Sequence, residues 1–115
     1  PVFFWEGWEQ EYALLIEKLF SRIRSKDVAW ISLGTLRFKP RLKKIIESRF
    51  PANSILDAEL VRGYDDKLRY PDGVRYKIYR FLIRQLEKHS RQLPIYLCME
   101  EETMWGDLKL PFPFQ

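Results

Sequence analysis

The residues best equipped for chemistry lie in one stretch, Glu59–Tyr76, which reads ELVRGYDDKLRYPDGVRY. Lys67, Arg69 and Tyr70 stand close together there. Cations and an aromatic ring in that order suit a nucleic acid, because ammonium and guanidinium groups bind phosphate and a ring stacks on an unpaired base. A hairpin would position them. Strand-like pieces, Glu59–Arg62 and Lys67–Tyr70, flank Gly63-Tyr64-Asp65-Asp66, where Gly accepts positive φ and Asp bonds its own turn backbone. Side chains alternate along a strand, so Lys67 and Arg69 are predicted on one face, Leu68 and Tyr70 on the other. A ribbon of this kind, about residues 59–70, either enters a nucleic-acid groove or is an edge hairpin guarded by its charge.

The elements around the ribbon follow from apolar spacing. Pro1–Trp5 suits the end of a buried strand, and the abrupt apolar start is expected of a fragment of a longer protein. From Trp8 the period is helical: Trp8, Tyr12, Leu15, Leu19 and Ile23 form a stripe widened by Ile16 and Phe20. Acids at its start and bases at its end agree with the helix dipole. Val28–Gly34 is nearly continuous and apolar, as is Leu93–Met99. Both runs predict strands covered on both faces of a parallel sheet, with Cys98 a buried, inert thiol. Arg37 follows the first run's carboxyl end, where α/β folds bind ligands, and is a candidate anion contact.

Pro40 opens a second predicted helix with Leu42, Ile45, Ile46 and Phe50 as its stripe. Lys39, Arg41, Lys43 and Lys44 crowd its start and oppose its dipole, which marks either a solvated basic face, the default for a charge run, or a place for an outside anion. Ile55–Leu56 is a possible further short strand. A long helix is predicted over Val74–His89, with Ile78, Phe81, Leu82, Gln85 and Leu86 inward and His89 capping its end. Glu100-Glu101-Glu102 either faces a site at the strand's end or starts a helix; a short helix is expected over Thr103–Leu108, from which Trp105 packs back. Two strands joined by helical crossovers indicate an α/β parallel sheet, with the hairpin inserted in the second crossover.

Composition narrows the function. The chain has 115 residues and a net charge of +4, enough for one domain over 1–115 with mild affinity for phosphate. A single cysteine favours a reducing, cytoplasmic setting and cannot by itself build a cysteine metal site. No apolar run approaches the roughly 20 residues needed to span a membrane. No GxGxxG, P-loop, HExxH, CxxC or nucleophile elbow occurs, so no catalytic or metal-ligating set of its own is expected.

Several blocks resemble the C-terminal part of the spore photoproduct lyase family, radical-SAM DNA repair proteins. They are Glu6-Gly7-Trp8-Glu9 with Tyr12, Trp30-Ile-Ser-Leu-Gly-Thr-Leu-Arg-Phe38, and the helix Leu42–Phe50. Further along come Glu59-Leu60-Val61, Asp66-Lys67-Leu68-Arg69-Tyr70, Arg75 with Tyr79-Arg80, and Pro94-Ile-Tyr-Leu-Cys-Met-Glu100. The resemblance implies the C-terminal portion of a partial (β/α)6 TIM-like barrel with an inserted β-hairpin. It also implies a parent protein that uses a 4Fe-4S cluster and S-adenosylmethionine to restore a thymine lesion in DNA. The family's CxxxCxxC cluster cysteines and its hydrogen-donating cysteine are expected outside this sequence, and Cys98 takes neither role. In the family the hairpin holds damaged DNA, which carries over to Arg69 and Tyr70, with Lys67 and Arg37 assisting. After Tyr70 the sequence departs from the family with Pro71-Asp72-Gly73, leaving the lesion open.

The chain is therefore expected to be a non-catalytic fragment of a DNA lesion lyase. It would meet DNA through its parent and pack against the missing N-terminal half of the barrel. The alternatives are a non-catalytic nucleic-acid-binding module, and a structural fragment whose exposed sheet edge pairs with a second copy.

Overall fold

Gly7, at φ +86°, turns the chain after Trp5, and the expected helix runs Trp8–Arg22 as α1. The structure, a computed structural model, describes residues 1–52, 56 and 58–113. After α1 come β1 (Ile31–Leu33), β2 (Arg37–Phe38), α2 (Arg41–Arg49), β3 (Val61–Arg62), β4 (Leu68–Arg69), α3 (Asp72–Glu87), β5 (Ile95–Leu97) and α4 (Glu102–Asp107). The possible strand at Ile55–Leu56 lies outside the described residues at Ile55; Leu56 is buried.

The fold is mixed α/β with two small sheets. β1 and β5 pair in parallel, Ile31 with Ile95 and Leu33 with Leu97, so the two predicted strands share one sheet. Val2 bridges Thr35 in parallel just beyond β1, with its N–H donating to the Gly34 carbonyl at 2.6 Å. The second sheet is antiparallel in the order β2-β4-β3. Residues 35–38 were expected to be a loop leaving β1. They supply instead an outer strand that makes β4 central, with Arg37 opposite Arg69 and Phe38 opposite Leu68.

The core forms between the sheets and α3, around Trp8, Leu33, Tyr70, Ile78, Tyr79, Leu82, Leu86, Leu97 and Trp105. Trp8 meets Phe81 edge-on, centroids 5.1 Å apart, at the α1–α3 contact. α3 also buries Arg75, Tyr79 and Ile83, which its predicted stripe did not include. His89 lies two residues past α3 and stacks on Phe20 at 4.5 Å, so its ring packs against α1.

Three apolar features are not covered as expected. Both strands of the parallel pair bury one face only, leaving Ser32 and Tyr96 exposed opposite each other. On α1, Leu15, Leu19 and Ile23 face solvent, and on α2 no residue is buried at all. Cys98 is exposed rather than buried, because β5 ends at Leu97 and the thiol stands at the sheet's edge. The radius of gyration is 15.3 Å, against about 13 Å for a compact domain of this length.

Candidate functional site

The carboxyl ends of β1 and β5 converge on a cavity of about 280 Å³ lined by Ser32, Gly34, Thr35, Arg37 and Cys98, with Pro1 at its edge. Main-chain pairing closes its floor: the Cys98 N–H donates to the Leu33 carbonyl at 2.6 Å. A Cβ on Gly34 would stand 3.2 Å from that of Cys98, so glycine lets the strand ends approach. Arg37 reaches back from β2, with Nη2 3.9 Å from the Cys98 sulfur. Its Nη1 is buried without a hydrogen-bond partner among the described residues. A guanidinium with an open donor beside a cavity can take a carboxylate or phosphate oxygen.

The β3–β4 turn closes over the same strand end. Met99 adopts φ +54°, and its carbonyl accepts from the Tyr64 hydroxyl and from Arg69 Nη1, each at 3.4 Å. Arg69 Nη2 also bonds Asp65, and its guanidinium carbon lies 5.1 Å from the Tyr64 ring centroid. Gly63 gives the guanidinium its space, since a Cβ there would stand 2.3 Å from Nε. Burial alone would raise the Asp65 carboxyl. Against it, the Arg69 hydrogen bond, the Lys67 N–H and the Arg69 charge hold the group below its ordinary value of 3.8.

Beneath the cavity lies a buried polar cluster. Glu100 takes Arg75 Nε at 2.9 Å and the Tyr79 hydroxyl at 2.8 Å, while Arg75 Nη1 donates to the Tyr70 carbonyl at 2.7 Å. Arg75 and Glu100 are each 2 % exposed. Burial, then the charge and hydrogen bond of Glu100, push the Tyr79 hydroxyl far above its ordinary value, and Thr35 pulls weakly the other way. This cluster joins β4, α3 and the end of β5. In the sequence Tyr70 stood out as a candidate contact and Arg75 and Tyr79 through the resemblance, while Glu100 was one of three acids in a row that either face a site or start a helix.

The four candidate residues separate into two groups. Arg37 and Lys67 remain partly exposed. Arg69 (2 %) and Tyr70 (0 %) are inside. Tyr70 accepts the Phe4 N–H on its hydroxyl at 2.9 Å and meets the Phe4 ring edge-on, and burial raises its hydroxyl above 10.0 despite that bond. Arg69 and Tyr70, expected to contact damaged DNA, are both buried in this chain. β2 covers one side of β4, and the turn and Met99 cover the guanidinium. Tyr64 at the turn, which the sequence did not single out, is 61 % exposed and takes the outward position.

The described residues do not fit an iron–sulfur cluster. Cys98 is a single thiol, and no group of three or more His, Cys, Asp or Glu gathers as for a metal ion among the described residues. No helix is long and apolar enough to cross a membrane among those residues.

No protein-family model matches the chain. A curated spore photoproduct lyase from Geobacillus sp. (strain Y412MC61) is 30% identical over 115 residues, covering 98% of this chain and 29% of that protein. A solved spore photoproduct lyase complexed with dinucleoside spore photoproduct superposes with a TM-score of 0.67 at 24% identity, over 85% of this chain and 32% of its own. A mutant of that enzyme with bound AdoMet and dinucleoside spore photoproduct gives 0.63 at 25% identity, over 84% of this chain and 30% of its own. The chain spans under a third of each relative. In sequence and in fold alike, it matches a part of spore photoproduct lyase.

Proposed function

We propose that this chain is the C-terminal portion of a cytoplasmic radical-SAM lyase acting on a DNA lesion of the spore photoproduct kind. It contributes the closing strands of a partial (β/α)6 barrel and a ribbon at the barrel's mouth. The observation that carries the reading is the match to the same enzyme by sequence and by fold over nearly the whole chain. Uncovered apolar stripes on α1 and α2, and a parallel pair open on one face, support a larger body packed against them. The cluster and S-adenosylmethionine belong, on this reading, to the rest of the parent, which must carry a CxxxCxxC triplet. There the bound cofactor supplies the radical that starts repair.

This chain's own part is to hold DNA. Arg37 supplies a cation beside the strand ends and Lys67 one on the ribbon, and Tyr64 offers a ring for an unstacked base. Arg69 and Tyr70 act through the ribbon: one pins it to the Met99 carbonyl, the other roots it against Phe4. In the full-length protein, Arg37→Ala with Lys67→Ala should weaken binding of lesion DNA about thirtyfold, since each lost phosphate contact costs about 1 kcal/mol. Fluorescence anisotropy reads this, and unchanged affinity removes both residues from the site. Tight, salt-sensitive DNA binding by the isolated chain, with a parent that lacks lyase activity, would favour a non-catalytic nucleic-acid module instead. Sedimentation of the isolated chain as a dimer would point to self-association through its open sheet edge.

A further inference from the structure

We propose that the cleft between the β3–β4 turn and the start of α2 seats the phosphate backbone of duplex DNA beside the lesion, through Lys39 and Arg41. The inference rests on the DNA-lyase reading and adds to it a second surface, away from the strand-end cavity.

Pairing brings the cations together. Residues directly opposite in an antiparallel pair share a face, so Arg37 and Arg69 lie side by side across β2 and β4. Lys39 and Lys67 each adjoin the last observed pair of that ladder, Phe38 opposite Leu68. Like charges directly opposite one another destabilise a sheet. Asp65 neutralises Arg69, but among the described residues no carboxylate lies within ion-pair distance of Lys39, Lys67 or Arg41.

α2 compounds the charge. Its first turn carries no acid, and Arg41 is its first residue, so a cation sits at the positive end of the helix dipole. Lys39, Pro40 and Arg41 form one wall of a cleft of about 380 Å³ whose other wall is Arg62, Asp65 and Asp66. Those two acids pair within the hairpin: Asp66 with Arg62 at 2.7 Å, and Asp65 with Arg69 through Oδ1, its Oδ2 being buried without a hydrogen-bond partner among the described residues. The α2 wall of the cleft therefore presents uncompensated positive charge, while the charges of the facing wall are paired within the hairpin. An outside polyanion relieves both the cross-strand and the dipole repulsion, and a sugar–phosphate backbone running past the mouth supplies it.

The test separates backbone from lesion. Full-length Lys39→Gln/Arg41→Gln protein is titrated with a labelled undamaged duplex of about 20 base pairs at two salt concentrations. Its turnover of dinucleoside spore photoproduct, which has no flanking backbone, is measured in parallel. The expected result is an affinity for duplex at least tenfold weaker, a salt slope smaller by about 2, and dinucleoside turnover within twofold of the parent. Unchanged duplex affinity and slope overturn the proposal. So does an equal loss on dinucleoside, which would place the residues at the lesion itself. Lys39→Arg/Arg41→Lys should retain duplex binding, and its failure to do so would also count against a phosphate site. If the parent protein turns over no lesion at all, the lyase reading fails, while the duplex titration still decides the cleft.

Discussion

Arg69 shows how a side chain chosen for one task by its type is committed to another by its surroundings. Its guanidinium is spent on Asp65, the Met99 carbonyl and the Tyr64 ring. The space it occupies exists because position 63 has no Cβ. Gly63→Ala should therefore displace Arg69 and destabilise the protein by about 1–3 kcal/mol, read as a lower denaturation midpoint. The Asp65 partner makes the latch acid-sensitive. Because its folded carboxyl ionises below 3.8, its contribution is complete above that value and is withdrawn as pH falls through the lower folded one. Amide exchange at Gly63, whose N–H donates to the Lys67 carbonyl, should accelerate below about pH 4 beyond its ordinary pH trend. Asp65→Asn should show the open behaviour at neutral pH.

Among the elements, α3 carries the structural weight through a pair that periodicity hides. Arg75 reads as a surface base in the sequence, yet it lies on the buried side and meets Glu100 from the end of β5. Removing Glu100 leaves the buried Arg75 with the exposed Asp72 carboxylate at 3.0 Å as its remaining ion-pair partner, so Glu100→Ala should cost about 3 kcal/mol. Arg75→Met combined with Glu100→Leu should cost markedly less than the two single changes added, and a double-mutant cycle by thermal unfolding measures the difference. The apolar runs at 28–34 and 93–99 announced β1 and β5 and their parallel pairing, because uninterrupted apolar sequence favours a sheet interior. β2 was not legible. Two residues leave no period to read, and Arg37 and Phe38 become a strand only because β4 is beside them. For the same reason the site was half visible. Arg37 and Lys67 could be picked by charge, but the burial of Arg69 and Tyr70 depends on neighbours distant in the chain, Met99 and Phe4.

For the whole molecule, the hydrophobic patterning exceeds what the described residues bury. The apolar stripes of α1 and α2 were read as inward faces, yet Leu15 and Leu19 are exposed and no residue of α2 is buried, because burial needs a partner surface and periodicity alone does not say where that surface comes from. α2 has charge at its start and apolar residues along its length with none buried, so it has two tasks to meet: phosphate at one end and a packed neighbour along its side. The parallel pairing carries one more implication. Ile31 meets Ile95 only after β2, α2, the ribbon and α3 have been threaded between them. The entropy of closing so long an excursion must be met before that contact returns any stability, which makes this pairing a late and slow event in folding. Gly34 and Cys98, adjacent in space at the rim, are brought together by that long-range pairing, and the cavity they border does not exist before it forms.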